Sequence, residues 1–306
     1  MKVGKRLLVG IVAIATLSAL VTATPSGAAG SSNPSLDVET FVGGLSIPWD
    51  VSFTPDGAAL IPLRDLRQIR VRRPNGTVAT LAADLSDVNT GSDGGVLGLV
   101  VVNEFAENRR FYTCQTTSAD VEVVAWTVDA GYTAATRVAD PLIDGIARSS
   151  GRHSGCRLRF GYEGYLWIAT GDAAIGSTPQ DLNSLAGKVL RVDKLTGAGH
   201  PDNPFSSSSN ANRRRIYTYG HRNPQGLDRR PCTDQMWTAE HGPSVDDEIN
   251  LLVRGGNYGW NPQPGFYNEG VPMTDFAEFP NAIGAKWDSG APTIAISGAS
   301  WVKGAD

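Results

Sequence analysis

Sulfur and imidazole are scarce in these 306 residues: there are three cysteines, three methionines and four histidines. No Cys-x-x-Cys occurs, which removes a zinc ribbon and a thioredoxin-like redox site. No Gly-x-Gly-x-x-Gly follows a strand-like run, and Gly187-Lys188 lacks the glycine spacing of a P-loop. His-Glu-x-x-His and the Gly-x-Ser-x-Gly elbow are also missing. Charge is thin at 19%, and there is no Gly-X-Y period or sustained heptad, so collagen and coiled coil are excluded; 41% apolar content excludes disorder. Basic residues number 27 against 31 acidic, and residues 1–29 hold three of the bases and no acid. The remainder is therefore acidic, with no electrostatic basis for gripping nucleic acid or an anionic membrane.

Glycine and proline, by contrast, are plentiful at 35 and 18 positions, which points to a turn-rich β protein. The length suggests two domains, yet large all-β folds run this long around one core. Residues 1–29 read as a secretory signal: Lys2, Lys5 and Arg6, an apolar stretch from Leu7 to Val21, then small residues through Ala28-Ala29. An uncleaved anchor is the other reading. Residues 30–40 read as a disordered leader and 41–306 as the folded domain. No later run is long and apolar enough to span a bilayer, so no membrane span is expected after signal cleavage. The expected location is secreted, extracellular or periplasmic. The cysteines then meet an oxidising compartment, and a Cys114–Cys156 bridge between two strand-like segments is the preferred pairing, leaving Cys232 in a turn. Spacing alone does not fix that connectivity.

One phrase recurs: short apolar strand, turn with an acid beside Gly, second strand. It appears at Val51–Ile61, again at Leu158–Ile168, and more loosely from Gly226-Leu227 to Met236-Trp237. These are hairpins. Their wide, irregular spacing suggests propeller blades opening near Trp49, Gly98, His153, Arg222 and Ser297. Only Asp181–Leu185 and Asp246–Leu252 look briefly helical, and either could be loop. Residues 171–215 and 240–292 are long linking segments of the kind that carry function.

Several residues there could carry chemistry. His153, in Gly151-Arg152-His153-Ser154-Gly155, precedes a strand and could act as a general base; a loop histidine bonded to backbone is the plainer reading. Arg222 and Asn223, in Gly220-His221-Arg222-Asn223-Pro224-Gln225-Gly226, offer a planar fork and a neighbouring donor for a carboxylate or quinone oxygen. The alternative is an Arg222 paired with a structural acid such as Glu240. Asp246-Asp247-Glu248, with Asn250 and nearby carbonyls, supplies hard oxygens of the sort calcium prefers, or simply a solvated acidic surface.

Taken together the chain resembles the soluble pyrroloquinoline-quinone (PQQ) sugar dehydrogenases, also called aldose sugar dehydrogenases. The matching phrases, in order, are Ile47-Pro48-Trp49-Asp50, Gly94-Gly95-Val96-Leu97-Gly98-Leu99, His153-Ser154-Gly155-Cys156-Arg157-Leu158 and Gly171-Asp172. They continue with Gln180-Asp181-Leu182, Leu185–Arg191, Asp202-Asn203-Pro204-Phe205, Gly220–Gly226, Glu240–Trp260 and Pro292-Thr293-Ile294-Ala295. The resemblance implies an all-β, six-bladed β-propeller with PQQ on its axis and calcium at the quinone. It implies His153 as the base for the sugar's anomeric hydroxyl, and Arg222, Asn223, Thr293 and Tyr267 as cofactor contacts. Asp93 stands near the substrate. The carbonyls of Gly242 and Pro243 match ligands of a catalytic calcium, and Glu248 with Tyr258 a structural one. The expected partners are an aldose and an external electron acceptor.

Three positions depart from the family pattern: Asp93 replaces Gln or Glu, Cys156 replaces Gly, and Ala291 replaces Trp. The chain also stops at Asp306 where a fifth blade would begin, so the expectation is a propeller truncated after about four blades, binding PQQ weakly and folding poorly. Two other functions fit parts of the sequence. One is a calcium-dependent propeller lactonase or esterase using the Asp246–Glu248 oxygens, which would need calcium and no quinone. The other is a non-catalytic carbohydrate-binding propeller, in which His153→Ala would leave sugar binding untouched.

Overall fold

A computed structural model describes residues 37–262 and 267–302. Compactness separates Met1–Phe41 from Val42–Asp306. In the first unit residues 37–41 are exposed and form no strand or helix; the signal at 1–29 and most of the leader at 30–40 lie outside the described residues.

The second unit is all-β, with four antiparallel four-stranded sheets following one another along the chain. Sheet one holds β1 (Ser52–Phe53), β2 (Ala59–Leu63), β3 (Gln68–Arg72) and β4 (Val78–Leu81). Sheet two holds β5 (Val96–Val101), β6 (Arg110–Thr116), β7 (Val121–Val128) and β8 (Ala135–Ile146). The third is β9 (Gly155–Phe160), β10 (Leu166–Thr170), β11 (Lys188–Val192) and β12 (Ile216–Tyr219). The fourth is β13 (Pro224–Arg229), β14 (Met236–Glu240), β15 (Glu248–Leu251) and β16 (Trp287–Asp288). Each sheet is a meander with its first strand at one edge, which is the build of a propeller blade. The only helices among the described residues are short, α1 (Phe105–Asn108) and α2 (Ala211–Arg215).

The three hairpins expected from the repeated phrase are β1–β2, β9–β10 and β13–β14. In the first, Thr54 and Ala58 pair across the turn and Gly57 N–H donates to Thr54. Blades open close to four of the five expected positions; at Ser297 no strand forms among the described residues. Asp181–Leu185 is loop, and the briefly helical look of Asp246–Leu252 was misleading, because Glu248–Leu251 pairs with β14 as a strand. The strand does alternate, but inverted: the polar Glu248 and Asn250 are buried while Ile249 and Leu251 are only half-buried, so its two-residue period does not read as an apolar inner face.

Burial differs between strands of the same sheet. Every residue of β2 and β5 is buried, whereas β3 alternates with only Ile69 and Val71 inward. Inner strands of neighbouring blades approach closely: a Cβ added at Gly98 would stand 2.4 Å from the Cys156 carbonyl oxygen. Glycine is therefore required there for β5 to lie against β9.

Two devices bind the blades. Asp50, from the Ile47–Asp50 phrase, accepts from Leu99 N–H (3.1 Å) of blade two and pairs with Arg157 (2.8 Å) and Arg159 (3.1 Å) of blade three. Arg157 in turn donates to the carbonyls of Gln225 (2.7 Å) and Trp49 (3.1 Å), so one buried guanidinium joins blades one, three and four. Removing either partner would leave a buried charge uncompensated, so the pair is costly to break. Second, Cys114 in β6 and Cys156 in β9 form the expected disulfide, Cα atoms 5.9 Å apart, and Cys232 is exposed and unpaired. No helix among the described residues is long and apolar enough to cross a membrane.

Candidate active site

The site is built where blades three and four begin. His153 is the second residue before β9, and the β9–β10 ladder pairs Thr170 with Gly155. Continued by two residues, that register sets Asp172 opposite His153. Gly171 makes the approach possible, since a Cβ there would lie 1.9 Å from the His153 carbonyl oxygen. The conformation is demanding: His153, Cys156, Ala173 and Ala174 all take positive φ, between 51° and 68°. Such conformations cost free energy in non-glycine residues and persist where surrounding contacts over-determine them.

Those contacts are hydrogen bonds. The loop after β10 is pinned by the buried Lys188, whose ammonium donates to the carbonyls of Thr178, Pro179 and Ala186 at 2.5, 3.0 and 2.8 Å. Burial pulls the Lys188 pKa down to about 7. Within this loop the buried Asp172 carboxylate meets four donors. Oδ1 faces His153 Nδ1 (2.8 Å) and Ala174 N–H (2.8 Å); Oδ2 accepts from Trp260 Nε1 (2.7 Å) and Tyr267 OH (2.8 Å). The Asp172 contact at Nδ1 orients the imidazole and leaves Nε2 as the ring nitrogen not bonded to Asp172. The Tyr267 oxygen also lies 3.1 Å from His153 Nδ1, but its proton is committed to Asp172. Burial, then the Asp172 charge, raises the Tyr267 phenol's pKa, so it stays a donor.

Blade four supplies the facing wall. Glu240, at the end of β14, accepts from the backbone N–H of Arg222 and contacts His221 Nδ1 at 2.9 Å. His221 Nε2 meets Thr218 Oγ1 at 2.9 Å and its ring stacks on Tyr258. Glu240 thus holds the backbone of the turn. The Arg222 guanidinium itself donates to the His241 carbonyl (2.7 Å) and to Glu269 Oε1 (2.6 Å).

Ser92, Asp93, Arg152, His153, Arg222, Asn223, Gln225 and His241 line one cavity of about 220 Å³. Four of the residues singled out in the sequence, His153, Arg222, Asn223 and Asp93, therefore share it. Asp93 Oδ2 accepts from His153 N–H at 2.9 Å. Tyr267 stands behind His153, on Asp172, rather than on the cavity wall. Thr293 is also absent from that wall: its hydroxyl donates to Asp247 Oδ1 (2.5 Å), and Asp247 receives Gly242 N–H (2.8 Å) and Ile294 N–H (2.7 Å). Asp247 consequently ties the Gly242 peptide to the Thr293 segment. The carbonyl of Gly242 faces His241 Nδ1 at 2.6 Å. Glu248 lines a separate cavity with Asp246, Thr274 and Asp288, and burial followed by the Glu240 charge raises its pKa. Tyr258 is not on that cavity; its hydroxyl donates to the Leu251 carbonyl at 2.5 Å.

Sequence reasoning missed Asp172, Trp260 and Glu269 as site residues, and it read Asp247 as a candidate calcium oxygen where the structure has it bonded to Gly242, Thr293 and Ile294. Asp172 had a usable signal, because the hairpin read at Leu158–Ile168 fixes its register against His153. Trp260 and Glu269 come from a long loop whose path no local pattern encodes.

Comparison with known proteins identifies the family and supports the propeller fold. The glucose/sorbosone dehydrogenase family profile matches residues 45–306. The aldose sugar dehydrogenase YliI of Escherichia coli is 36% identical over 238 residues, covering 74% of this chain and 62% of YliI. Quinoprotein glucose dehydrogenase B of Acinetobacter calcoaceticus is 32% identical over 294 residues, covering 86% and 60% respectively. The chain thus spans about three-fifths of the length of these curated relatives. Among solved structures, the apo soluble aldose sugar dehydrogenase of E. coli superposes with TM-score 0.72 at 29% identity, over 83% of this chain and 75% of that one. The PQQ-bound aldose sugar dehydrogenase of Streptomyces coelicolor gives 0.66 at 29%, over 76% and 69%. This chain belongs to the glucose/sorbosone dehydrogenase family.

Proposed function

We propose that the chain serves an exported, PQQ-dependent oxidoreductase that converts the anomeric hydroxyl of an aldose to a lactone, with His153 as the general base. The observation that carries this reading is the His153 ring, its Nδ1 fixed by Asp172, sharing a cavity with Arg222 and Asn223.

The cavity residues fit an oxygen-rich anionic cofactor. Arg222 Nε is a buried donor without a hydrogen-bond partner, which is costly unless a ligand oxygen completes it; Asn223 Oδ1 is a buried acceptor without one, so it calls for a ligand donor, and only the Asn223 amide nitrogen can meet a cofactor oxygen. Arg222, Asn223 and Arg152 would hold the cofactor's oxygens. When bound, PQQ supplies the two-electron acceptor for the hydrogen on the sugar's anomeric carbon. His153 Nε2 takes the hydroxyl proton, and Asp172 stabilises the imidazolium so formed without becoming protonated itself. Trp260 and Tyr267 keep Asp172 aimed, and Arg222 offers positive charge where negative charge develops. Asp93, half-buried on the same wall, is the proposed sugar contact.

Calcium is a separate matter. The Gly242 carbonyl proposed to ligate it already faces His241 Nδ1, so that histidine would have to turn away before the carbonyl could hold the ion. Export is supported by the reading of residues 1–29 and by the Cys114–Cys156 bridge. An external acceptor is needed to reoxidise the cofactor.

The test is to add PQQ to the full chain and follow reduction of an artificial dye with glucose. The reading expects reduction that requires both PQQ and sugar. Lactone hydrolysis supported by calcium alone, with no quinone requirement, would replace it with the hydrolase.

A further inference from the structure

Glu269 belongs to none of the motifs, yet its carboxylate sits at the convergence of the site's cations. Oε1 accepts from Arg222 Nη2 at 2.6 Å and from Arg152 Nη2 at 2.8 Å, and lies 3.7 Å from His153 Nε2. Arg222 Nη1 is already given to the His241 carbonyl, and its Nε is buried and unpartnered. Arg222 thus directs the nitrogen it has free for an anion onto a carboxylate of its own chain. Burial disfavours charge on Glu269, but the Arg222 hydrogen bond and charge, with the Arg152 charge behind them, outweigh it, so its pKa falls below the ordinary glutamate range. An ionised carboxylate therefore stands where a ligand oxygen would bind.

Nothing local fixes it there. Its side chain is 38% exposed, and residues 267–286, where it lies, form no strand among the described residues. The neighbouring backbone bonds are the Asn268 N–H to Pro262 and the Gly270 N–H to the Asn268 side chain. Releasing Glu269 would require only a side-chain rotation into solvent.

We infer that Glu269 is an internal counter-anion, a displaceable latch that competes with the anionic cofactor for Arg222 and Arg152. The inference rests on the reading of Arg222 as a cofactor contact. Before loading, the latch neutralises two guanidiniums beside the base. On loading, a cofactor oxygen replaces Oε1, and part of the binding free energy is spent on that exchange.

The experiment titrates PQQ into the full chain by calorimetry, comparing wild type with Glu269→Gln and with Glu107→Gln, an exposed acid on α1 that controls for net charge. Glu269→Gln should bind PQQ on the order of tenfold more tightly, the scale of one charged hydrogen bond, and Glu107→Gln should match wild type. Thermal melting gives a second readout: without PQQ the Glu269→Gln variant should melt below wild type, and at saturating PQQ the two should melt together, because Glu269 is then released in the wild type. A merely structural Glu269 would lower both melting points. Equal or weaker PQQ binding by Glu269→Gln overturns the latch while leaving the function reading intact. If neither protein binds PQQ, both fall.

Discussion

Two groups of three carboxylates among the described residues behave oppositely. The first, Asp93, Asp172 and Glu269, surrounds His153; the second, Asp87, Glu122 and Asp140, has oxygens within 4.8 Å of one another around Arg137. In the first group each acid is met by strong donors, and the unmatched atoms that remain, on Arg222 and Asn223, belong to residues lining a cavity. In the second, Arg137 serves Asp87 (2.6 Å) and Asp140 (2.8 Å), while Glu122 has the Gln115 amide at 3.3 Å. Burial, then the charges of Asp87, Asp120 and Asp140, pushes the Glu122 pKa up to about 7. Clustering of acids is therefore not what distinguishes a reactive site. What distinguishes it is a donor set that fixes the acids and leaves a base and a cation available to a ligand.

The contrast can be broken in graded ways. The largest effect should come from Asp172→Asn, which fits the same space but no longer stabilises the imidazolium. PQQ-dependent turnover should fall on the order of 10³-fold with PQQ affinity unchanged; a lower affinity with intact turnover would instead make Asp172 structural.

Next is the disulfide, which links the two groups: Gln115, touching Glu122 and Asp87, follows Cys114, and His153 lies three residues before Cys156. Closing a loop of 42 residues contributes about 4 kcal/mol by chain entropy. Replacing both cysteines with serine should lower stability to denaturant by up to that amount, and an unchanged midpoint would show that the blades hold without it.

Smaller, and opposite in sign, is Glu122→Gln. A carboxyl whose folded pKa lies above its unfolded value contributes stability fully present below pH 4.5, and that contribution is lost as pH rises through about 7. The substitution should therefore stabilise the protein by about 1 kcal/mol at pH 8, discounted for partial solvent screening, and should not do so at pH 4. A pH-independent effect would mean that Glu122 acts through packing alone.

Much of the blade order was legible before any coordinates, because Pro/Asp/Gly turns between short apolar runs specify hairpins from local chemistry. His153, Arg222, Asn223 and Asp93 were legible because each sits in a phrase anchored at a strand end. The rest required geometry. The left-handed conformations at His153 and Ala173 carry no compositional mark, since neither residue is a glycine. Thr293 and Tyr267 were expected on the cofactor itself, yet one is held by Asp247 and the other by Asp172, contacts made across 46 and 95 residues of chain. Local patterning cannot encode such closures, and the residues that hold His153 are mostly of this kind.

The most direct measurement compares the full chain and its His153→Ala variant at saturating PQQ and glucose, with PQQ binding measured on the same samples. If His153 is the base, the variant binds PQQ as wild type does and loses about 10²–10⁴-fold in dye reduction. A His153→Ala protein that holds PQQ and turns over at the wild-type rate would contradict the account.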